Sequence, residues 1–124
     1  MYPSDLKYTK DHEWIRIGAD LAEIGITDYA QRQLGDVVFV DLPEVGSRVT
    51  VGQSLGSIES VKAVSDLFAP MSGEVAEVNA NLKDHPELIN SDPHGTWMLR
   101  VRLSNPSETN ALLDSAAYAK FVAE

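Results

Sequence analysis

Residues 47–51, 55–60, 63–68 and 73–78 read as four short β-type runs, and a single lysine, Lys62, separates the middle two with neither glycine nor proline beside it. Runs of this length cannot bury an apolar face alone. Closely punctuated by turns, they must pair with one another and pack face to face, which is the texture of a small sandwich or barrel. The arrangement also places Lys62 at the tip of a hairpin. Val61 and Ala63 flank it in what reads as a tight β-turn, no acidic residue stands beside it in sequence, and its ammonium is expected to project into solvent. Solvation of the turn is the ordinary role for such a lysine; display for covalent modification is the other.

Composition narrows the setting. The chain has 124 residues, the size of one domain with one core. A hydrophobic fraction of 44% with 23% charged residues is ordinary globular composition, and no run approaches the apolar length of a membrane span. Met1 is followed by polar Tyr2-Pro3-Ser4-Asp5, without the layout of a secretory or transit peptide, so a cytoplasmic location in a bacterial cell is expected. The absence of cysteine excludes disulfides, thiol nucleophiles and thiolate metal sites, so any redox chemistry must come from a cofactor. A formal charge of −9 repels phosphate backbones and anionic membranes and steers the chain toward basic protein surfaces. Neither nucleic acid nor membrane is an expected partner.

Along the chain, residues 13–17 and 21–26 read as an N-terminal hairpin around Gly18-Ala19-Asp20. Thr27 can cap a short helix that Gly35 stops, and residues 36–42 read as the next strand. Residues 86–90 can make one helical turn. Residues 96–103 alternate, with Trp97, Leu99, Val101 and Leu103 on the buried face and Met98, Arg100 and Arg102 on the other. Ser107 can cap a turn through Leu113, and Asp114 or Ser115 a last helix. Trp14, Trp97, Phe39 and Phe121 are expected in the core, where a side chain of that size contributes roughly 1.5 to 3 kcal/mol.

Further motifs sharpen the reading of Lys62. A near-symmetric pattern surrounds it, with Gly52 and Gly73 at almost equal distances on either side. In this the chain resembles biotinyl and lipoyl carrier domains, which place the modified lysine at a hairpin tip between two pseudo-symmetric halves. Biotin carriers usually set that lysine between methionines, whereas Val61 and Ala63 stand here. Glu59-Ser60-Val61-Lys62-Ala63 is similar to the lipoylation sequence of the glycine cleavage system H proteins. The resemblance extends to Tyr8-Thr9-Lys10-Asp11-His12-Glu13-Trp14, to Ile24-Gly25-Ile26-Thr27-Asp28-Tyr29-Ala30-Gln31, to residues 34–43 and to Gly95-Thr96-Trp97-Met98, and so covers nearly the whole chain.

What the resemblance implies is specific. The fold would be mainly β, a barrel-sandwich hybrid of antiparallel strands with an N-terminal β-hairpin, short helices and a C-terminal helix. It would form a single lipoyl-carrier domain over 1–124: hairpin and short helix in 1–35, hybrid sandwich with the Lys62 hairpin in 36–103, C-terminal helices in 104–124. A lipoate ligase or a lipoyl/octanoyl transferase would attach lipoate to Lys62, with Glu59, Ser60, Val61 and Ala63 as motif flanks. The arm would take an aminomethyl group from the pyridoxal-phosphate glycine decarboxylase, pass its carbon to tetrahydrofolate on an aminomethyltransferase, and be reoxidised by dihydrolipoyl dehydrogenase. The protein would be a non-catalytic carrier and a monomer. Glu13 and Asp66, with Asp11 beside them, would hold the cationic aminomethyl group through charge-assisted hydrogen bonds; a solvated acidic edge is the plainer role for all three.

Other chemistries fit less well. His12, His85 and His94 have no metal-cluster spacing, and the last two read as turn residues. Ser54, Ser57, Ser60 and Ser65 lack a histidine and acid at motif spacing and read as edge-strand serines. Gly52, Gly56 and Gly73 do not make a phosphate loop. A Schiff-base lysine needs a desolvated site, which a hairpin tip does not offer. A lipoyl donor or relay protein serving other lipoate-dependent complexes stays open on sequence alone.

Overall fold

Trp14 and Ile15 are adjacent, so a strand directs them to opposite faces. In the computed structural model of the chain, which describes residues 2–19 and 21–123, both are fully buried. They lie on β2 (Glu13–Ile17), which pairs antiparallel with β1 (Lys7–Tyr8) on one side and β3 (Leu21–Ile26) on the other. Ile15 enters the main core, while Trp14 enters a second cluster with Leu6, Tyr8 and Tyr118. Trp14 stands opposite Gly25, where a Cβ would come within 2.5 Å of the indole, so the glycine lets the ring pack onto the neighbouring backbone. In the loop between β2 and β3 the Gly18 N–H donates to the Leu21 carbonyl at 2.9 Å, and Asp20 lies outside the described residues.

Helix α1 (Asp28–Leu34) begins at Thr27, whose hydroxyl accepts the Ala30 N–H at 3.2 Å, and ends at Gly35, whose φ of 80° suits glycine. The remaining strands are β4 (Val37–Asp41), β5 (Arg48–Val49), β6 (Ser54–Ser60), β7 (Val64–Phe68), β8 (Gly73–Val78) and β9 (Leu99–Leu103). They complete two antiparallel sheets, one of six strands in the order β1-β2-β3-β9-β8-β5 and one of three in the order β4-β6-β7. Short helices α2 (Asn81–Asp84) and α3 (Leu88–Ser91) follow β8. A 3₁₀ helix, Pro106–Ala111, precedes α4 (Ser115–Ala123).

Ile15, Ile24, Val75, Leu99 and Val101 of the larger sheet share one buried cluster with Val37, Ile58 and Leu67 of the smaller. The architecture is mainly β with short helices and a terminal helix, and it fits a barrel-sandwich hybrid, although neither sheet closes on itself. No helix among the described residues is long and apolar enough to cross a membrane.

Several side chains depart from the sequence expectation. Phe39 is 54% exposed because a bulge between Val37 and Phe39 turns both Val38 and Phe39 outward before Val40 returns to the core. Trp97 and Phe121 are half-buried at the second cluster, and the Arg100 guanidinium lies 3.8 Å above the Trp97 ring. Met98 is fully buried, since the regular strand begins only at Leu99. The 3₁₀ helix is preceded by Asn105 instead of being capped by Ser107, and Asp114 caps α4 by accepting the Ala117 N–H at 2.8 Å.

Tyr118 ties α4 to the first strands: its hydroxyl lies 2.8 Å from both Thr27 Oγ1 and His12 Nδ1 and is shielded from water. Tyr118→Phe removes both bonds at a buried site and is expected to lower unfolding stability by about 1–3 kcal/mol with little change in the urea m-value. An unchanged urea midpoint would show that these bonds hold nothing together.

Candidate functional site

The Lys62 hairpin grows out of the core. Ile58 on β6 and Leu67 on β7 are buried, which fixes the register of the pair up to Glu59 opposite Val64. Beyond that pair the Ser60 N–H donates to the Ala63 carbonyl at 2.8 Å. The Ala63 N–H turns to the Ser60 side chain, donating to Oγ at 3.0 Å, and the Lys62 N–H reaches the same oxygen at 3.3 Å. The expected tight β-turn is therefore closed by a hydroxyl, and Ser60, read from sequence as an edge-strand serine, is the buried last residue of β6, the central strand of its sheet.

Lys62 is exposed, as are Lys7, Lys10, Lys83 and Lys120, so exposure does not single it out. Position does: Lys62 stands at the tip of the β6-β7 pair, whereas Lys10, in the turn between β1 and β2, lies 5.9 Å over the Phe121 ring. Lys62 makes no ion pair among the described residues. Its stem does not simply enter solvent: a Cβ at Gly35 would come 3.2 Å from Lys62 Cε, so the lysine lies over the glycine that ends α1. The Val61 N–H donates to the Asp36 carbonyl at 3.0 Å, anchoring the tip to the link between α1 and β4. Asn90 of α3 fastens that link by accepting the Val37 N–H at 2.8 Å and donating to the Gly35 carbonyl at 2.9 Å. The run Leu34-Gly35-Asp36 signals a helix stop, but nothing in it signals a neighbour at position 62.

Glu13, unlike Lys62, is buried. On β2 it shares the inward face with Ile15 and is 2% exposed. Its Oε1 accepts the Thr9 hydroxyl at 2.7 Å and its Oε2 accepts the Phe68 N–H at 3.2 Å, so one carboxyl links the two sheets. Burial pushes its pKa up to about 7, against the lowering effect of those two bonds and with a smaller push from the nearby Asp11 charge. Asp11 is exposed in the turn before it, and the two line a common cleft of about 250 Å³ together with Val51, Gly52, Ala69 and Leu112. Asp66 does not line that cleft. It stands on the outward face of the smaller sheet in a row with Ser57 and Asp41, next to the row of Phe39, Glu59 and Val64. Thr9, the partner of Glu13, was not signalled by the sequence, because its hydroxyl meets the carboxyl only once the 9–13 turn has formed. Among the described residues no three His, Cys, Asp or Glu side chains gather as metal ligands.

A family model described as glycine cleavage H-protein matches residues 6–124. The chain belongs to that family. It is 62% identical over 123 residues to the glycine cleavage system H protein of Koribacter versatilis, covering 99% of this chain and 95% of that protein. The corresponding protein of Symbiobacterium thermophilum is 56% identical over 123 residues, covering 98% and 96%. Among solved structures, a glycine cleavage system H protein from Mycobacterium marinum superposes with a TM-score of 0.90 at 43% identity, covering 98% of this chain and 99% of that one. Membership gives the chain a lipoyl-carrier role in glycine cleavage.

The Glu13 environment sets a pH signature. Between the unfolded carboxylate pKa and about 7, the folded state keeps a proton that the unfolded state has lost, so this group's stabilising contribution disappears as pH rises through that window. In Glu13→Gln the amide can accept from the Phe68 N–H and donate to Thr9 without ever ionising. From about pH 5 to about pH 8 the variant should gain roughly 2–3 kcal/mol relative to wild type in urea unfolding. His12 and His94, whose pKa values burial lowers, titrate in both proteins and cancel in the difference. Parallel stability profiles would contradict the raised pKa.

Proposed function

We propose that this chain, once lipoate is joined to Lys62, shuttles the aminomethyl group of glycine from the pyridoxal-phosphate glycine decarboxylase to the tetrahydrofolate-dependent aminomethyltransferase. Dihydrolipoyl dehydrogenase then reoxidises the arm. The observation that carries the proposal is Lys62 itself, exposed and without an ion pair among the described residues, at the tip of a hairpin whose register the core fixes. Such an amine fits acylation: no salt bridge is broken when its charge is lost, and the acylating enzyme meets it on a rigid support. Lipoate ligase or a lipoyl/octanoyl transferase would read the flanks Glu59, Ser60, Val61 and Ala63. The bound lipoyl group supplies the dithiolane on which the aminomethyl group is carried.

The other residues act on what the arm brings. Glu13, together with Asp11, offers carboxylates in one cleft to a cationic aminomethyl group. Arrival of a cation lowers the pKa of Glu13, so a carboxyl only partly ionised near neutrality in the unloaded carrier becomes fully charged when there is a charge to hold. The cleft walls of Val51, Ala69 and Leu112 restrict water around that group. Asp66 supplies a further carboxylate on the outward face of the sheet that bears Lys62. We read 1–124 as one carrier domain, working as a monomer in the bacterial cytoplasm and contributing no catalytic group of its own.

Lys62→Arg keeps a positive charge and a similar stem but cannot be lipoylated. It is expected to retain the wild-type circular dichroism spectrum and melting curve, while decarboxylation of glycine coupled to tetrahydrofolate with the purified partner enzymes falls to background. Activity retained in that variant would overturn the proposal. A wild-type carrier that accepts lipoate yet supports no coupled decarboxylation would indicate the relay role instead.

A further inference from the structure

The turn that presents Lys62 lacks the backbone bond that ordinarily closes a two-residue hairpin loop. Ser60 and Ala63 flank the loop, and the Ser60 N–H donates to the Ala63 carbonyl, but the returning Ala63 N–H is held by Ser60 Oγ at 3.0 Å. The same oxygen accepts the Lys62 N–H at 3.3 Å and lies 3.3 Å from the Ala63 carbonyl. One hydroxyl thus gathers the backbone of the modified residue and of the residue after it. Ser60 is itself 6% exposed, facing inward opposite Val37, whereas Val61, Lys62 and Ala63 are exposed. The support is buried and the segment it organises is open to an enzyme.

We propose that the Ser60 hydroxyl is a positioning residue for acylation of Lys62, holding the turn in the one shape that sets the lysine stem over Gly35 for the acylating enzyme. The inference rests on the lipoyl-carrier reading. In the acylation step the Lys62 amine attacks the carbonyl of an acyl-adenylate. The amide C–N bond forms as the bond from that carbonyl to the phosphate oxygen breaks, adenosine monophosphate departs, and the two protons lost by the ammonium go to solvent. Ser60 takes no part in this exchange. Its effect is on how often the free protein shows the shape that the enzyme binds, and apparent affinity falls in proportion to that population. Because Lys62 and Ala63 are exposed residues, water can replace the lost acceptor and the fold itself changes little.

The test compares wild type, Ser60→Ala and Ser60→Thr as full chains with purified lipoate ligase, lipoate and ATP, following lipoyl incorporation by intact mass. Ser60→Ala is expected to raise the KM for the carrier protein about tenfold with kcat unchanged, and Ser60→Thr to stay within about twofold of wild type. Ser60→Ala should melt at the wild-type temperature. Amide hydrogen exchange of the unmodified protein gives a readout without any enzyme: Lys62 and Ala63 should exchange faster in Ser60→Ala and no other strand amide should change. Wild-type KM in Ser60→Ala, or unaltered protection at Lys62 and Ala63, overturns the inference. So does a defect that Ser60→Thr shares or that follows a fall in melting temperature. Failure of the wild-type chain to take up lipoate is a different result, since it removes the carrier reading itself.

Discussion

The packing of the three-stranded sheet against the six-stranded one is the constraint from which the rest of the molecule follows. Ile58 and Leu67 must face Ile15, Ile24, Val75 and Val101, and that requirement fixes which residues of β6 and β7 point outward and how far the two strands run before they turn. A slip of one residue would send the buried set to solvent. The position of Lys62 is therefore a consequence of core packing several residues away. The tip is then tied sideways, by the Asp36 carbonyl and the Asn90 amide, to the end of α1.

A carrier needs two properties that conflict: an arm that sweeps through solvent and a place that shields what the arm carries. In the proposed carrier the two sheets divide these tasks. The smaller supplies the open hairpin, and its outward rows carry Glu59, Asp41 and Asp66. The larger supplies Glu13, an inward carboxyl held by the Thr9 hydroxyl of the 9–13 turn and the Phe68 N–H of the smaller sheet, and desolvated enough to keep part of its proton near neutrality. Acidity matters differently at the two places. The surface charge that dominates the net −9 acts on distant partners and is screened by salt. In the proposal, the buried carboxyl of Glu13 acts only on a group that enters its cleft.

Local signals in the sequence were read where one residue determines one feature. Thr27 and Gly35 bound α1, the short β-type run of residues 13–17 matched β2 in full, and Lys62 fell between two strands as expected. Features that need two distant segments were not legible. Lys7–Tyr8 is too short to stand out as a strand and exists because Trp14 pairs with Tyr8. The Phe39 bulge cannot be told from a regular apolar strand by composition, and Asn81–Asp84 has no capping side chain to announce it. In the site, the motif around Lys62 pointed to the proposed attachment point. The partners of that motif, Gly35 and Asp36 on one side and the Ser60 hydroxyl within the turn, emerge only from the three-dimensional arrangement.

The central claim is that core packing singles out one of five lysines for modification. The most direct measurement is the intact mass of the chain after incubation with lipoate ligase, lipoate and ATP, followed by peptide mapping. The account predicts one lipoyl group, on Lys62 alone. No addition while a control acceptor is modified by the same enzyme, or addition spread over Lys7, Lys10, Lys83 and Lys120, would contradict it.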